Sequence, residues 1–133
     1  MTNSQEWGAV VLRFVLGVTF LVHGIVKFQG GIENIAGWFA SIGLPGGLAY
    51  VVALLEVVGG IALMVGLGVK IVSALLALVM IGAIFKVKIA IGFLGNGQMA
   101  GYELDLALLA IAVYLALNGS RMMGLDSLFT RKK

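Results

Sequence analysis

Long runs of apolar residues, separated by short polar or glycine-containing segments, dominate the chain. Most of these runs approach the ~20 residues that an α-helix needs to cross the hydrocarbon core of a bilayer. They cover residues 8–27, 48–67, 69–91 and 102–117. Glycine or proline lies at most of the breaks between them. The pattern predicts an all-α membrane protein: a bundle of four transmembrane helices forming a single domain over residues 1–133, with the lipid bilayer as its main solvent.

The segment between the first two runs has a different pattern. Apolar residues repeat there at helical spacing with polar residues between them, at Ile32, Ile35, Phe39 and Ile42. Trp38 is an aromatic residue of the kind that settles at membrane surfaces. We therefore expect a short amphipathic helix at the interface between helices one and two.

The first apolar run is not typical of a cleaved signal peptide. No Lys or Arg precedes it, Arg13 interrupts it, and no small-residue cleavage site follows it. We expect this run to remain in the mature protein as its first membrane helix.

Composition agrees with a membrane location and narrows the chemistry. Hydrophobic residues make up 61% of the chain and charged residues 11%, whereas a typical soluble domain is roughly one quarter charged. The chain has no cysteine and one histidine, which excludes disulfides, thiolate metal sites and bis-histidine haem ligation within one chain. We expect no encoded cofactor and no metal site, so any electrons must come from outside this protein.

The distribution of basic residues predicts an orientation. An even number of spans places both termini on one side, together with Lys70, Arg121 and the basic tail at residues 131–133. By the positive-inside rule that side is cytoplasmic, in a multi-pass protein of the plasma membrane. Three lysines near the opposite ends of the spans argue the other way: Lys27, Lys86 and Lys88. No basic stripe interleaved with exposed aromatics is present, so nucleic-acid binding is not expected.

Ionisable residues inside the apolar runs are the candidate functional groups, because a charge at the bilayer centre costs at least ~2.5–3.5 kcal/mol on insertion scales. At ~1.5 Å per residue, Glu56 lies about 12 Å and His23 about 7 Å below the outer boundary. The two are near enough in depth to pair. Arg13 lies toward the cytoplasmic end, away from both, where its side chain could extend to the headgroups.

A shallower layer within about 5 Å of the outer boundary contains Lys27, Lys86 and Glu103. Lys86 and Lys88, two positions apart on a helix, point in nearly opposite directions. We expect Lys86 to face inward and Lys88 to extend to the headgroups. Residues this close to the boundary can instead be interfacial anchors. His23 can instead be a structural residue that hydrogen-bonds to a neighbouring helix.

Several segments that contain these residues resemble the DoxX family. They are Leu12-Arg13-Phe14, Phe20 to Gly24 with Lys27-Phe28, Ile42 to Pro45, Leu54 to Gly60, Gly101-Tyr102-Glu103 and Gly119 to Asp126. The resemblance extends from about Leu12 to Asp126. Within the family the chain is most similar to small bacterial membrane members described as oxidoreductases and linked to catechol and quinone stress.

The resemblance implies a set of functional positions. The family's recurring polar positions correspond to Arg13, His23, Lys27, Glu56 and Glu103 of this sequence. Where many relatives carry a histidine late in helix three, this chain has Lys86 and Lys88. That departure weakens any proton relay that requires two histidines.

The first hypothesis is an oxidoreductase, or its membrane subunit, that handles a quinone- or catechol-type ring in the outer half of the bundle. His23 and Glu56 would be catalytic, because an imidazole and a carboxylic acid can exchange protons with the ring oxygens. Lysine side chains would stabilise developing anionic charge. The substrate-binding residues would be Arg13, Lys27, Lys86 and Glu103. A redox partner protein would supply or accept the electrons.

The second hypothesis is a non-catalytic assembly protein, in which buried charges specify helix packing and the bundle docks a redox partner. A third, a small-molecule transporter, has less support. Four spans without an internal repeat leave little room for a pathway unless the protein forms a homo-oligomer.

Overall fold

A computed structural model describes residues 2–130, and the regular elements in this range are helices. In chain order they are α1 (Asn3–Gln29), α2 (Ile32–Ser41), α3 (Gly47–Val65), α4 (Val69–Ala83), α5 (Glu103–Asn118) and α6 (Asp126–Thr130). Helix α4 continues directly into a π-helical turn, Ile84–Lys88. The basic tail at residues 131–133, used above to predict orientation, lies outside the described residues.

Within residues 2–130, three helices are long and apolar enough to cross a membrane: Asn3–Gln29, Gly47–Val65 and Val69–Lys88. The prediction of an all-helical membrane protein is therefore confirmed. Helix α5 has 16 residues, and at ~1.5 Å per residue it is about 24 Å long, shorter than the ~30 Å hydrocarbon core. A fourth spanning helix stays a prediction. Helix α2 occupies the segment expected at the interface, but its position at the membrane surface also stays a prediction.

Local sequence signals set the ends of the membrane helices. The Thr2 hydroxyl accepts a hydrogen bond from Gln5 N at 3.2 Å, and the Gln5 side chain accepts one from Thr2 N at 2.9 Å. This capping box starts α1 at Asn3, several residues before its apolar run begins. Gly66 and Gly68, with φ of +76° and +62°, form the tight turn between α3 and α4.

Helices α1 and α3 pack closely through glycines. A Cβ built on Gly60 would lie 2.6 Å from the carbonyl oxygen of Gly17, and one built on Gly24 would lie 2.6 Å from Val57 Cγ2 and 3.0 Å from the Ala53 carbonyl oxygen. Such close backbone approach stabilises helix pairs in lipid, where the hydrophobic effect gives little drive for association. The two helices therefore form one closely packed half of the bundle.

Helices α4 and α5 form the other half and run in opposite directions. The Lys70 side chain, in the first turn of α4, packs against Gly119 just after α5, with Lys70 Cε 3.2 Å from where a Gly119 Cβ would lie.

The molecule has two ends: we call the end with the Gly66–Gly68 turn the turn end, and the end with the connection at residues 89–102 the loop end. Buried residues from both halves form one core, including Leu16, Phe20, Leu63, Leu76, Leu108 and Leu115.

The glycine contact between α1 and α3 makes a stability prediction. We expect Gly60→Ala to lower the unfolding free energy by about 1–3 kcal/mol through overpacking. The new methyl group would lie 2.6 Å from the Gly17 carbonyl oxygen and 2.7 Å from Leu21 N, and backbone atoms cannot rotate away. Thermal unfolding of the detergent-solubilised protein measures the effect.

Gly82→Ala is the matched control. The same methyl group on α4 would meet no atom within 4 Å, so stability should stay constant or rise by up to about 1 kcal/mol through helix propensity. Equal melting temperatures for the two variants would contradict the close packing of α1 and α3.

Candidate functional site

Charged and titratable side chains from four helical segments come together at the loop end. Helix α1 contributes His23 and Lys27, α3 contributes Glu56, the π-helical turn contributes Lys88, and α5 contributes Asp105. Glu56 interacts electrostatically with Lys27, His23 and Asp105. We call these five residues the charged cluster.

An ion pair between α1 and α3 forms the first part of the cluster. Lys27 Nζ donates to Glu56 Oε1 at 2.6 Å. The Glu56 side chain is 3% exposed and that of Lys27 25% exposed. Gly24, one turn before Lys27, packs against Val57 and Ala53 of α3, so helix packing brings the ammonium close to the carboxylate. Removing one partner of such a buried pair leaves an uncompensated charge, which is more costly than removing both.

A second ion pair links α4 to α5. Lys88 Nζ lies 3.0 Å from Asp105 Oδ2, and the two side chains are 25% and 7% exposed. The ammonium approaches off the direction of a well-aligned hydrogen bond. Both pairs therefore have the same arrangement, with a buried carboxylate and a partly exposed lysine.

His23 lies one turn before Lys27 on the same face of α1 and is half-buried. Among residues 2–130 its imidazole has no hydrogen-bond partner, although it interacts electrostatically with Glu56. The estimated depths of His23 and Glu56 were near enough for a pair, but the structure pairs Glu56 with Lys27. The long lysine side chain reaches inward from a shallower position, which the depth estimate did not consider.

The predicted orientation of the two lysines in the π-helical turn after α4 is also wrong. Lys86 is exposed and extends toward the connection between α2 and α3, with its Nζ 3.7 Å from where a Gly43 Cβ would lie. Lys88 faces the interior and pairs with Asp105. The π-helical turn contains an Ile89 N to Ile84 O hydrogen bond of 2.7 Å, which changes the rotation of the side chains. We find no signal in the sequence that predicts this turn.

Helix α5 likewise presents Asp105 to the interior in place of the predicted Glu103. Glu103 is exposed at the first position of the helix. The buried face of α5 contains Asp105, Leu108, Ala112 and Leu115. Helical spacing puts Asp105 on one face with the last three, but the other faces of α5 are also apolar, so spacing alone does not identify the buried face.

Arg13 lies at the opposite, turn end, as its estimated depth predicted. It is fully buried, so it does not extend to the headgroups. Its Nη1 donates to Ser120 O at 3.4 Å, Ser120 Oγ at 3.2 Å and Met122 O at 3.0 Å, and its Nη2 donates to Met123 O at 2.8 Å. The guanidinium thereby holds the segment after α5 in place. Its role in substrate binding stays a prediction that this geometry does not favour.

Asp126 completes the closure of the turn end, and sequence reasoning missed it. Its Oδ1 accepts from Gly68 N at 2.7 Å and its Oδ2 from Val69 N at 3.0 Å, which caps the N-terminus of α4. Its own N donates to Gly66 O at 2.8 Å. A cap supplied from a segment so distant along the chain leaves no local sequence pattern.

The cluster has the groups for proton exchange and for holding an anion, but not for binding a metal. Two carboxylates and an imidazole can gain or lose protons, and two ammonium groups can stabilise negative charge on a ligand. Within the described range, residues 2–130, no three His, Asp or Glu side chains are placed to hold a metal ion.

Comparisons with known proteins identify the family to which the chain belongs. Residues 8–89 match the family model described as DoxX. "Putative oxidoreductase CatD" of Bacillus subtilis (strain 168) is 45% identical over 126 residues, which cover 95% of this chain and 90% of that protein. An uncharacterized protein of Haemophilus influenzae is 29% identical, and the match covers 91% of this chain and 90% of that protein. An uncharacterized membrane protein of Mycobacterium tuberculosis is 28% identical, and the match covers 92% of this chain and 82% of that protein. No solved structure matches the chain at a significant level.

The pairing of α4 with α5 can be tested by a double-mutant cycle. We expect Lys88→Met and Asp105→Asn to be coupled by about 0.5–3 kcal/mol in unfolding free energy, as groups in direct contact are. Reversible unfolding by SDS in mixed micelles, followed by tryptophan fluorescence, provides the measurement.

Lys86→Met and Glu103→Gln form the control cycle, with the same charges two positions away in each helix. Their coupling should be close to zero, because both side chains are exposed. Stronger coupling in the control cycle than between Lys88 and Asp105 would show that the sequence-based orientation was right.

Proposed function

Because the chain belongs to the DoxX family of membrane proteins, we propose that its charged cluster is the substrate site of an oxidoreductase or of its membrane subunit. The proposed substrate is a lipophilic quinone- or catechol-type ring. The observation that carries the proposal is the half-buried imidazole of His23, which has no hydrogen-bond partner among residues 2–130 and lies beside the Lys27–Glu56 ion pair. The 45% identical relative carries the name of an oxidoreductase, which supports the class of reaction.

Each group in the cluster has a role in this chemistry. Reduction of a quinone to a hydroquinone adds two electrons and two protons, and oxidation of the hydroquinone removes them. His23 and Glu56 exchange the protons with the ring oxygens. Lys27 and Lys88 stabilise negative charge on those oxygens. The electrons pass to or from a partner redox protein, a dehydrogenase that carries its own flavin or nicotinamide.

The geometry favours a different set of substrate-binding residues from the set that the sequence suggested. Lys27 stays in the set, and Lys88 with Asp105 replaces Lys86 with Glu103, because the first two reach the interior. Lys86 and Glu103 are exposed and belong to the rim of the site at most. Arg13 acts as a structural clamp at the turn end.

We also propose the membrane topology that this site needs. Helix α5 makes a fourth crossing, since it runs beside α4 from the Lys88–Asp105 pair to the contact between Gly119 and Lys70. Both termini then lie on the side of the turn end. The basic residues there favour a cytoplasmic position in the plasma membrane, with α2 at the outer interface.

Ligand-induced stabilisation tests the proposed function. We expect menadione, a simple quinone, to raise the melting temperature of the purified protein, because a ligand that binds only the folded state stabilises it. His23→Ala should abolish the increase. Differential scanning fluorimetry in detergent, over a range of menadione concentrations, measures both.

Thr19→Ala is the matched control for that experiment. Thr19 lies one turn before His23 on α1, and its hydroxyl donates to Val15 O of the same helix at 2.7 Å, so its replacement should leave the menadione effect unchanged. An equal increase for wild type and His23→Ala would contradict the proposed site.

A second candidate function, a non-catalytic assembly protein that docks a redox partner, is favoured by one specific observation. The buried carboxylates are paired with the protein's own lysines, and such pairs can specify how helices assemble. This candidate is preferred if menadione leaves the wild-type melting temperature unchanged while Glu56→Gln reduces the amount of protein that accumulates in the membrane.

A further inference from the structure

The connection between α4 and α5, residues 89–102, is uncharged and strongly apolar at its surface. We call it the α4–α5 loop. Its large apolar side chains are exposed to the surroundings: Ile89 at 51%, Phe93 at 48%, Leu94 at 74% and Met99 at 46%. Exposed apolar side chains grouped in this way usually mark a contact with a partner or a membrane.

The backbone of this loop satisfies many of its own hydrogen bonds. Tyr102 N donates to Gly92 O at 3.2 Å, and Glu103 N donates to Phe93 O at 3.1 Å. Asn96 Oδ1 accepts from the backbone N–H groups of two residues further along the loop, at 3.1 and 2.8 Å. Backbone near the hydrocarbon core must be satisfied internally, because water is scarce there. A loop of this kind can contact lipid at low cost.

Helix lengths place the loop close to the membrane. The continuous span Val69–Lys88 has 20 residues and α5 has 16, lengths of about 30 Å and about 24 Å at ~1.5 Å per residue. The two run antiparallel and meet at the same level at the turn end. Helix α5 therefore begins about 6 Å below the loop end of α4. The apolar surface of α4, exposed at Ile81 and Phe85, continues through Ile89 into the loop.

We infer that the α4–α5 loop inserts into the boundary between headgroups and acyl chains on the side of the loop end, with Phe93 and Leu94 against the lipid. The occupant of this apolar surface is the bilayer, because the surface continues the lipid-facing side of a spanning helix. Interfacial amphipathic helices reach about 5–10 Å into the same boundary.

The α4–α5 loop directly adjoins the second ion pair. It begins directly after Lys88, whose carbonyl oxygen accepts from Gly92 N at 3.1 Å, and it ends just before α5, which contains Asp105. A consequence that rests on the proposed function is that a ring substrate reaches the charged cluster from the lipid, which suits a lipophilic quinone. The position of the loop itself does not depend on that function.

Fluorescence quenching in nanodiscs, which expose both membrane faces to solvent, tests the insertion. The chain has no cysteine, so Leu94→Cys gives a single site for a bimane label attached in detergent. Asn3→Cys, exposed at the start of α1, is the water-facing control. Lipids with nitroxide on their acyl chains should quench the Leu94 label at least about threefold more than the Asn3 label, because the former lies at the acyl boundary. Aqueous iodide should show the reverse order.

Met99→Cys provides a second loop position with the same expected result, in case the Leu94 variant fails to give the helical circular dichroism of the wild type. Quenching by iodide equal to that at Asn3 would overturn the inference at either position. This experiment measures depth alone, so its failure would leave the menadione result unaffected.

Discussion

The ion pair between Lys27 and Glu56 determines how the loop end is built. A carboxylate that is 3% exposed in a membrane helix is costly unless a cation lies beside it. The cation arrives from α1, because the glycine contact at Gly24 brings that helix against α3. Since His23 lies one turn away on the same face, the packing that makes the ion pair also sets the imidazole next to it. Helix packing, charge compensation and the candidate chemistry are therefore one arrangement.

The second pair repeats this arrangement between the π-helical turn and α5, with the carboxylate again the more buried partner. In each pair the acid is almost fully buried, whereas the lysine side chain is 25% exposed. The carboxylates are thus the more enclosed groups of the cluster, and the ammonium groups lie nearer the surface of the bundle. A ring oxygen that approaches the cluster from the surface of the bundle meets the ammonium groups first and the carboxylates behind them. This order suits the binding of a ring whose oxygens become charged during reduction.

Much of the fold could be predicted from sequence, but the orientation of individual helices could not. The apolar runs identified the long helices, and the estimated depths alone placed Glu56 in the interior and Arg13 at the other end. Helix α5 was harder, because a helix that faces lipid on one side and protein on the other is apolar all round, so periodicity no longer marks the buried face. Its Asp105 was missed for that reason. The inward orientation of Lys88 depends on a π-helical turn, which no local sequence pattern predicts.

The most direct test of this account is the unfolding free energy of Lys27→Met with and without Glu56→Gln, measured by SDS titration. The account predicts that Lys27→Met alone costs about 3–5 kcal/mol, because it leaves a buried carboxylate without its cation. Adding Glu56→Gln to that variant removes the uncompensated charge and should restore most of the loss. A double variant that is less stable than Lys27→Met would contradict the central role of this ion pair.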